Sequence, residues 1–342
     1  MIEGGTFLPD FSHLARLTDD TGLLEHARHA TVRREHGYCT DDVARGLLVA
    51  SREPGPALIR PAEIYLSFLT HAQDEQGKFH NRMGYDRRWA DLPTLGDWWG
   101  RALWGLGTAA ARSPAPWIRA EALVAFTRGA ACRSSAPHAM AFAGLGAAEI
   151  LRADPDDKLA AELLSDAAAA VGWPESDPAW PWPAADLDYA SAALAEVMIA
   201  AGHLLGDPAR LGAGLRMLAW LRDIQTVDGH LSVLPAQGWR RGRQRRRYDQ
   251  QPIEVAAFAD ACVTAAVVTG DHRWYDGVRL CADWFRGDND GGVPMWDRTT
   301  AGSYDGLTSG GVNLNQGAES TLALISTMQH ARDTRAAAGR AA

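Results

Sequence analysis

"YDQQPIEVAAFADAC", residues 248–262, sets an Asp, two Gln, a Pro and a Glu ahead of a smooth apolar run, and "NLNQGAESTLALIS", residues 313–326, does the same again. Polar caps and carboxylates suit the N-terminus of any helix, because they meet its unpaired N–H groups and its dipole. Capping needs one Ser, Asp or Asn, however. Asp249, Gln250, Gln251, Asn313, Asn315 and Gln316 exceed that need. The repetition implies several helix ends gathered around one polar hollow.

Working outward, apolar residues recur at helical spacing in eleven segments, from "DDVARGLLVAS" (41–51) to "AESTLALISTMQHA" (318–331), and "DFSHLARL" (10–17) adds a twelfth. Six of these segments are rich in Ala and Gly and follow a polar stretch. They start near Asp41, Asp97, His138, Asp188, Glu254 and Glu319, at intervals of 56, 41, 50, 66 and 65 residues. The segments between are more amphipathic, as an outer layer facing water should be. A second repeat, in 65–79, 217–231 and 281–295, joins an aromatic helix end to a Gly-containing polar turn and an apolar return, with Gly as a left-handed helix cap. Repetition of this period means an array of like units. The expected fold is all-α, an (α/α)6 toroid of six hairpins in one domain over 1–332, with 333–342 as a frayed tail.

The composition fits. Apolar residues make up 46% of 342 residues and charged residues 22%, enough for a large core. A net charge of −8 disfavours nucleic acid as a partner, despite six arginines in "WRRGRQRRRYD" (239–249), which read as a solvated loop or a grip on an anionic substrate group. Cys39, Cys132, Cys262 and Cys281 are widely spaced, as reduced thiols of a cytoplasmic protein would be. No secretory leader or uninterrupted apolar run of membrane-spanning length is visible, so no membrane partner is expected. No nucleotide loop or nucleophile elbow occurs and no cofactor is expected. His26 with His29, or His36 with Cys39, lack a four-ligand zinc spacing, so no metal is expected either.

Amides, carboxylates and aromatics at one rim are what a sugar site requires: hydroxyls take bidentate partners and ring faces stack on indoles. Breaking a glycosidic bond needs a proton donor and a second carboxylate. The candidate acids are Glu254 and Glu319 first, then Asp42 and Asp97; mutual repulsion would help keep one protonated. Asp41 and Asp42, adjacent at a helix start, should diverge. Hydroxyl-binding candidates are His36, Tyr38, Asp41, Arg101, Tyr189 and the amides above, with His80, Asn81 and Arg82 from a strand-like loop over 78–89. Trp98, Trp99, Trp180, Trp182, Trp239 and Trp296, at loops or helix starts, are candidate stacking platforms.

"HGYCTDDVARGL", "GDWWGRALWGLG", "YDQQPIEVAAFADAC", "WFRGDNDGGVPMWD" and "YDGLTSGGVNLNQGAESTLA" resemble a bacterial family of carbohydrate-active (α/α)6-barrel proteins of the six-hairpin glycosidase-like kind. The resemblance covers roughly residues 12–330. Members of that family occur alone or as C-terminal domains of glycosyltransferases, often beside mannoside phosphorylases. The resemblance implies a six-hairpin toroid and a role in carbohydrate metabolism. One stretch departs from it. In "WPAADLDYASA" (182–192), Ala184 and Ala185 stand where the family has Glu and Asp, leaving Asp186, Asp188 or Glu175 as substitutes. The leading expectation is a glycoside hydrolase-like enzyme on an oligosaccharide. The rivals are a non-catalytic sugar-binding module serving a glycosyltransferase partner and a sugar epimerase or isomerase, for which His36, His80 or His138 would face the pocket as bases.

Overall fold

The computed structural model describes residues 8–341, with side chains to 336. Twelve α-helices are present among the described residues: α1 (Ser12–Leu17), α2 (Thr40–Arg52), α3 (Ile59–Ala72), α4 (Asp97–Arg112), α5 (Pro116–Ala130), α6 (Pro137–Ala153), α7 (Lys158–Val171), α8 (Ala192–Leu204), α9 (Pro208–Gln225), α10 (Pro252–Thr269), α11 (Arg273–Arg286) and α12 (Ala318–Ala341). The even-numbered helices form the inner ring: α2 packs on α4, α4 on α6, α6 on α8, α8 on α10, α10 on α12, and α12 back on α2. That last contact closes the ring. Each odd-numbered helix from α3 to α11 packs outside the inner helix before it, and the short α1 packs on α12, which completes the sixth pair. The expected (α/α)6 toroid is the observed fold. Helix α12 runs as helix through the segment expected to fray.

Small residues make the inner ring possible. A Cβ on Gly100 would lie 2.1 Å from the carbonyl of Ala139, and one on Gly107 2.3 Å from that of Gly146. Only glycine allows α4 and α6 to approach this closely. Helix α10 is long and apolar enough to cross a bilayer, yet it is largely buried inside the ring and carries Glu254 and Asp260.

The strands are short pairs: β1 (Ala27–Arg28) with β2 (Thr31–Val32), β3 (Tyr38–Cys39) with β4 (Arg82–Met83), β5 (Asp186–Leu187) with β8 (Trp239–Arg240), β6 (Thr226–Val227) with β7 (His230–Leu231), and β9 (Gly306–Thr308) with β10 (Gly311–Asn313). The β3–β4 pair confirms the strand-like reading of 78–89. In the second repeat, only Gly287 is a left-handed helix cap; Gly77 and Gly229 have positive φ in the turns that follow the helix ends. The four cysteines are free thiols, three of them buried.

The arginine run is a mostly exposed loop, and several of its cations are answered locally. Arg241 pairs with Asp177 at 2.5 Å, Arg240 with Asp186 at 3.7 Å, and Arg247 with Asp290 at 3.7 Å, while Arg245 folds in to donate to Ser232 at 2.9 Å.

Candidate active site

The N-terminal ends of the inner helices converge on one face. Outer helices α7 and α9 are capped by Asp157 and Asp207, whose side chains accept from Ala160 and Arg210 N–H. Inner helices α2, α4, α6, α8 and α10 have no side-chain cap at all. Outer helices α3, α5 and α11 lack one as well, so what sets the inner starts apart is that their polar residues are not spent on capping and collect on one face.

They line an open bowl of about 480 Å³. Of the sequence candidates, Asp41, Asp42, Asp97, Glu319, Trp98 and Tyr189 reach its wall, with Asn81, Arg82, Gln251 and Asn313 at the same bowl. Its floor is apolar: Leu48, Trp104, Phe142 and Leu322 narrow the ring axis to a neck of about 40 Å³.

One guanidinium organises the acids. Arg45, one turn into α2, ion-pairs with Asp41 at 2.5 Å, Asp42 at 3.1 Å and Glu319 at 2.8 Å. Arg101 on α4, nearly buried over the Phe142 ring at 3.9 Å, pairs with Asp41 at 2.9 Å. Contrary to expectation, Asp41 and Asp42 do not diverge. Oxygens of Asp41, Asp42 and Glu319 lie within 4.8 Å of one another, because spacings of three and four residues both bring the pair onto Arg45. This triad and the group Glu25, Cys39 and Asp42 have metal-ligand spacing. Arg45 bonds all three carboxylates of the triad, so a cation there would have to displace it.

Burial sets the protonation. Asp42 is 4% exposed, and loss of water raises its pKa well above the usual carboxylate range against the pull of Arg45. Glu254, 5% exposed, is pushed up to about 8 by burial and by nearby Glu319, although it accepts a hydrogen bond from the Ala190 N–H at 2.7 Å. Two buried arginines thus face four carboxyls, and neutrality near pH 7 follows if Asp42 and Glu254 keep their protons. Glu319 has 40% of its side chain exposed and presents its carboxylate to the bowl. Asp97 accepts a hydrogen bond from the Tyr189 hydroxyl on the facing wall. Glu254 itself lies behind the wall.

Other candidates hold the loops instead. Gln250 is fully buried, accepting from Trp284 Nε1 at 3.0 Å and donating to Asp290 at 2.5 Å. Gln316 is buried against Thr300 and Asp297, and Asn315 accepts from the His29 N–H. Tyr38 is buried and donates to Asp19; His80 stacks on Trp89 and bonds the Asp91 carbonyl. Asp249 is exposed, its carbonyl accepting from Ala236 N–H, and His36 is exposed against His26. Among the tryptophans only Trp98 faces the bowl. Trp99 is core; Trp180, Trp182 and Trp239 pack with Trp220 in one cluster; Trp296 lines a separate outer groove. Ala184 and Ala185 are exposed and lie outside the bowl, as do Glu175, Asp186 and Asp188.

The sequence reading missed Arg45, Glu25, His26, Asp305 and Ser320, all of which line the bowl. Arg45 left a signal: a cation inside an Ala/Leu helix, four residues from Asp41. The loop residues Glu25, His26 and Asp305 left none.

No protein-family model matches the chain, and no curated protein matches it in sequence. Solved structures do match over nearly the full length. A sugar epimerase from a ruminal bacterium superposes with a TM-score of 0.70 at 14% identity, over 93% of this chain and 94% of that one. The shared fold is the (α/α)6 toroid of six helical hairpins. Cellobiose 2-epimerase of Bacillus thermoamylovorans shares it (TM-score 0.69, 11% identity, 95% and 96% covered). So does an inactive variant of an α-1,6-mannanase of Salegentibacter sp., in complex with α-1,6-mannotetrose (0.62, 8%, 95% and 99%).

Proposed function

We propose that the bowl is the active site of a glycoside hydrolase acting on an oligosaccharide. The observation that carries this reading is the pairing of a buried acid, Asp42, whose pKa burial raises, with an exposed carboxylate, Glu319, on one arginine. Asp42 donates the proton to the leaving oxygen. One oxygen of each lies within 4.8 Å of the other, nearer the ~5–5.5 Å spacing of retaining pairs than the ~6.5–9.5 Å of inverting ones, and on that ground Glu319 is assigned as nucleophile in a retaining, two-step displacement. Trp98 offers a ring face for stacking, and Asn81, Gln251 and Asn313 offer hydroxyl partners. Structural neighbours crystallised with α-1,6-linked mannose oligosaccharides support the substrate class.

A sugar epimerase is the second reading, favoured by one observation: His26 lines the bowl, with the His36 ring 4.8 Å away edge-on. His80 and His138 do not line it; His138 stacks on Tyr189 instead. The non-catalytic module, with its glycosyltransferase partner, rested on Ala184 and Ala185, whose exposed position leaves the acids of the bowl intact. A cytoplasmic location is in keeping with four free thiols.

The test is NMR in D2O over α- and β-linked manno- and gluco-oligosaccharides, with and without phosphate. Release of a new reducing end, with the anomer first retained, is the expected result. Deuterium entering a sugar carbon without chain cleavage would replace the hydrolase by the epimerase.

A further inference from the structure

Of the tryptophans that stand in loops or at helix starts, the bowl takes Trp98, Trp99 is core, and Trp180, Trp182 and Trp239 pack around Trp220. Trp296 does none of these. It is half-buried on an open groove of about 520 Å³, together with Tyr304, Asp297, Arg298, Val293 and Val312.

The groove and the bowl share a wall. Tyr304 lines the groove, and the next residue, Asp305, lines the bowl; Val312 lines the groove, and Asn313 lines the bowl. Successive residues of an extended chain point to opposite faces. Here that chain is the β9–β10 pair with its lead-in, held by the Asp305 N–H on the Asn313 carbonyl at 3.2 Å. A third tie runs through Gln316. It precedes the bowl's Gly317 and donates to Asp297 of the groove at 3.3 Å. One hairpin therefore separates the two hollows.

The lining has the chemistry of a sugar subsite. The Trp296 and Tyr304 rings and the two valines give apolar faces for the C–H groups of a pyranose. Asp297 is held in place by its own loop: one carboxylate oxygen accepts from the Thr299 N–H at 2.8 Å and the other from Gln316. Each oxygen has a second lone pair for a hydroxyl. The exposed Arg298 guanidinium lies 5.7 Å from the centroid of the Trp296 ring, so a sugar on the indole has a donor at its edge. One acid against one base leaves no net charge to draw an ion. A few polar groups set among rings suit a neutral polyhydroxylated ligand.

We propose that this groove is a distal subsite of the bowl, holding an outlying unit of an oligosaccharide that crosses the β9–β10 wall past exposed Asn313. The subsite makes the protein selective for long chains over short ones. The inference rests on the reading of the bowl as an oligosaccharide site, and it adds chain length as the property recognised and Trp296 and Arg298 as the residues that recognise it.

The experiment is titration calorimetry of the full chain carrying Asp42→Asn, which spares the sugar from cleavage. The ligands are α-1,6-mannobiose and α-1,6-mannohexaose, then cellobiose and cellohexaose. In the series that binds, the longer sugar should bind about tenfold tighter or better, the equivalent of one stacked ring. Adding Trp296→Ala should erase that advantage and leave the short sugar unchanged. Arg298→Ala, on the exposed surface where folding is not at stake, should also weaken the long sugar alone. Trp98→Ala should weaken both. Equal affinity for short and long sugars, or a loss in Trp296→Ala that falls on both alike, would overturn the proposal and leave the bowl standing. A dimer that Trp296→Ala dissociates, seen by light scattering, would also overturn it, because the groove would then belong to a second copy of the chain. If no sugar of either series binds, the bowl fails as a sugar site and the subsite fails with it. Because binding alone is read, failure of the hydrolase reading leaves this test intact.

Discussion

Glu254→Gln isolates the protonation that burial imposes on the wall of the bowl. In the unfolded chain this carboxyl ionises near its ordinary value of 4.5; in the fold it is pushed up to about 8. Between those values the folded protein holds one more proton than the unfolded chain. Stability therefore falls as pH rises through that window. At about 1.36 kcal/mol per pH unit, Glu254 accounts for about 4 kcal/mol of lost stability between pH 5 and pH 8. Glutamine keeps an oxygen for the Ala190 N–H but cannot ionise. Asp42 and Glu196 slope the same way in both proteins, so the difference between wild type and variant reports Glu254 alone. Urea unfolding followed by circular dichroism at the two pH values measures it. The variant should be the more stable protein at pH 8 by several kcal/mol, with the gap closing toward pH 5. Parallel stability profiles would refute the claim that Glu254 is carried neutral in the fold.

Arg45→Met leaves Asp41, Asp42 and Glu319 crowded without their cation, and should cost about 3–5 kcal/mol in urea unfolding near neutral pH. Asp42→Asn removes the proton donor and should lower kcat by about 10²–10⁴, with the wild-type rate itself falling as rising pH strips Asp42 of its proton; a pH–rate profile reads both. Gly107→Ala sets a methyl 2.3 Å from the Gly146 carbonyl where α4 crosses α6. Thermal unfolding should show a loss of about 1–3 kcal/mol or more, with no local change in the bowl.

The toroid was legible because its helices obey one periodicity and its inner helices announce themselves by Ala and Gly. What the sequence pattern could not decide was which polar residues at the mouth serve a ligand and which serve the loops. Gln250 and Gln316 look alike in sequence to Gln251, yet both are consumed in pinning long irregular connections whose buried polar groups need partners. Trp180, Trp182 and Trp239 stand in loops but fold back onto Trp220, since three large apolar rings gain more by packing together than by facing water. Glu25, His26 and Asp305 come from segments without periodicity, so only tertiary structure places them. Arg45 was the readable omission, because its spacing from Asp41 and Asp42 already joined the three.

A crystal structure of Asp42→Asn soaked with an α-1,6-linked manno-oligosaccharide tests the central claim most directly. The account predicts a sugar chain crossing the bowl, with a glycosidic oxygen in hydrogen-bond reach of residue 42 and the Glu319 carboxylate facing the adjoining anomeric carbon. A chain bound outside the bowl, or one whose nearest linkage lies beyond reach of both groups, would contradict it.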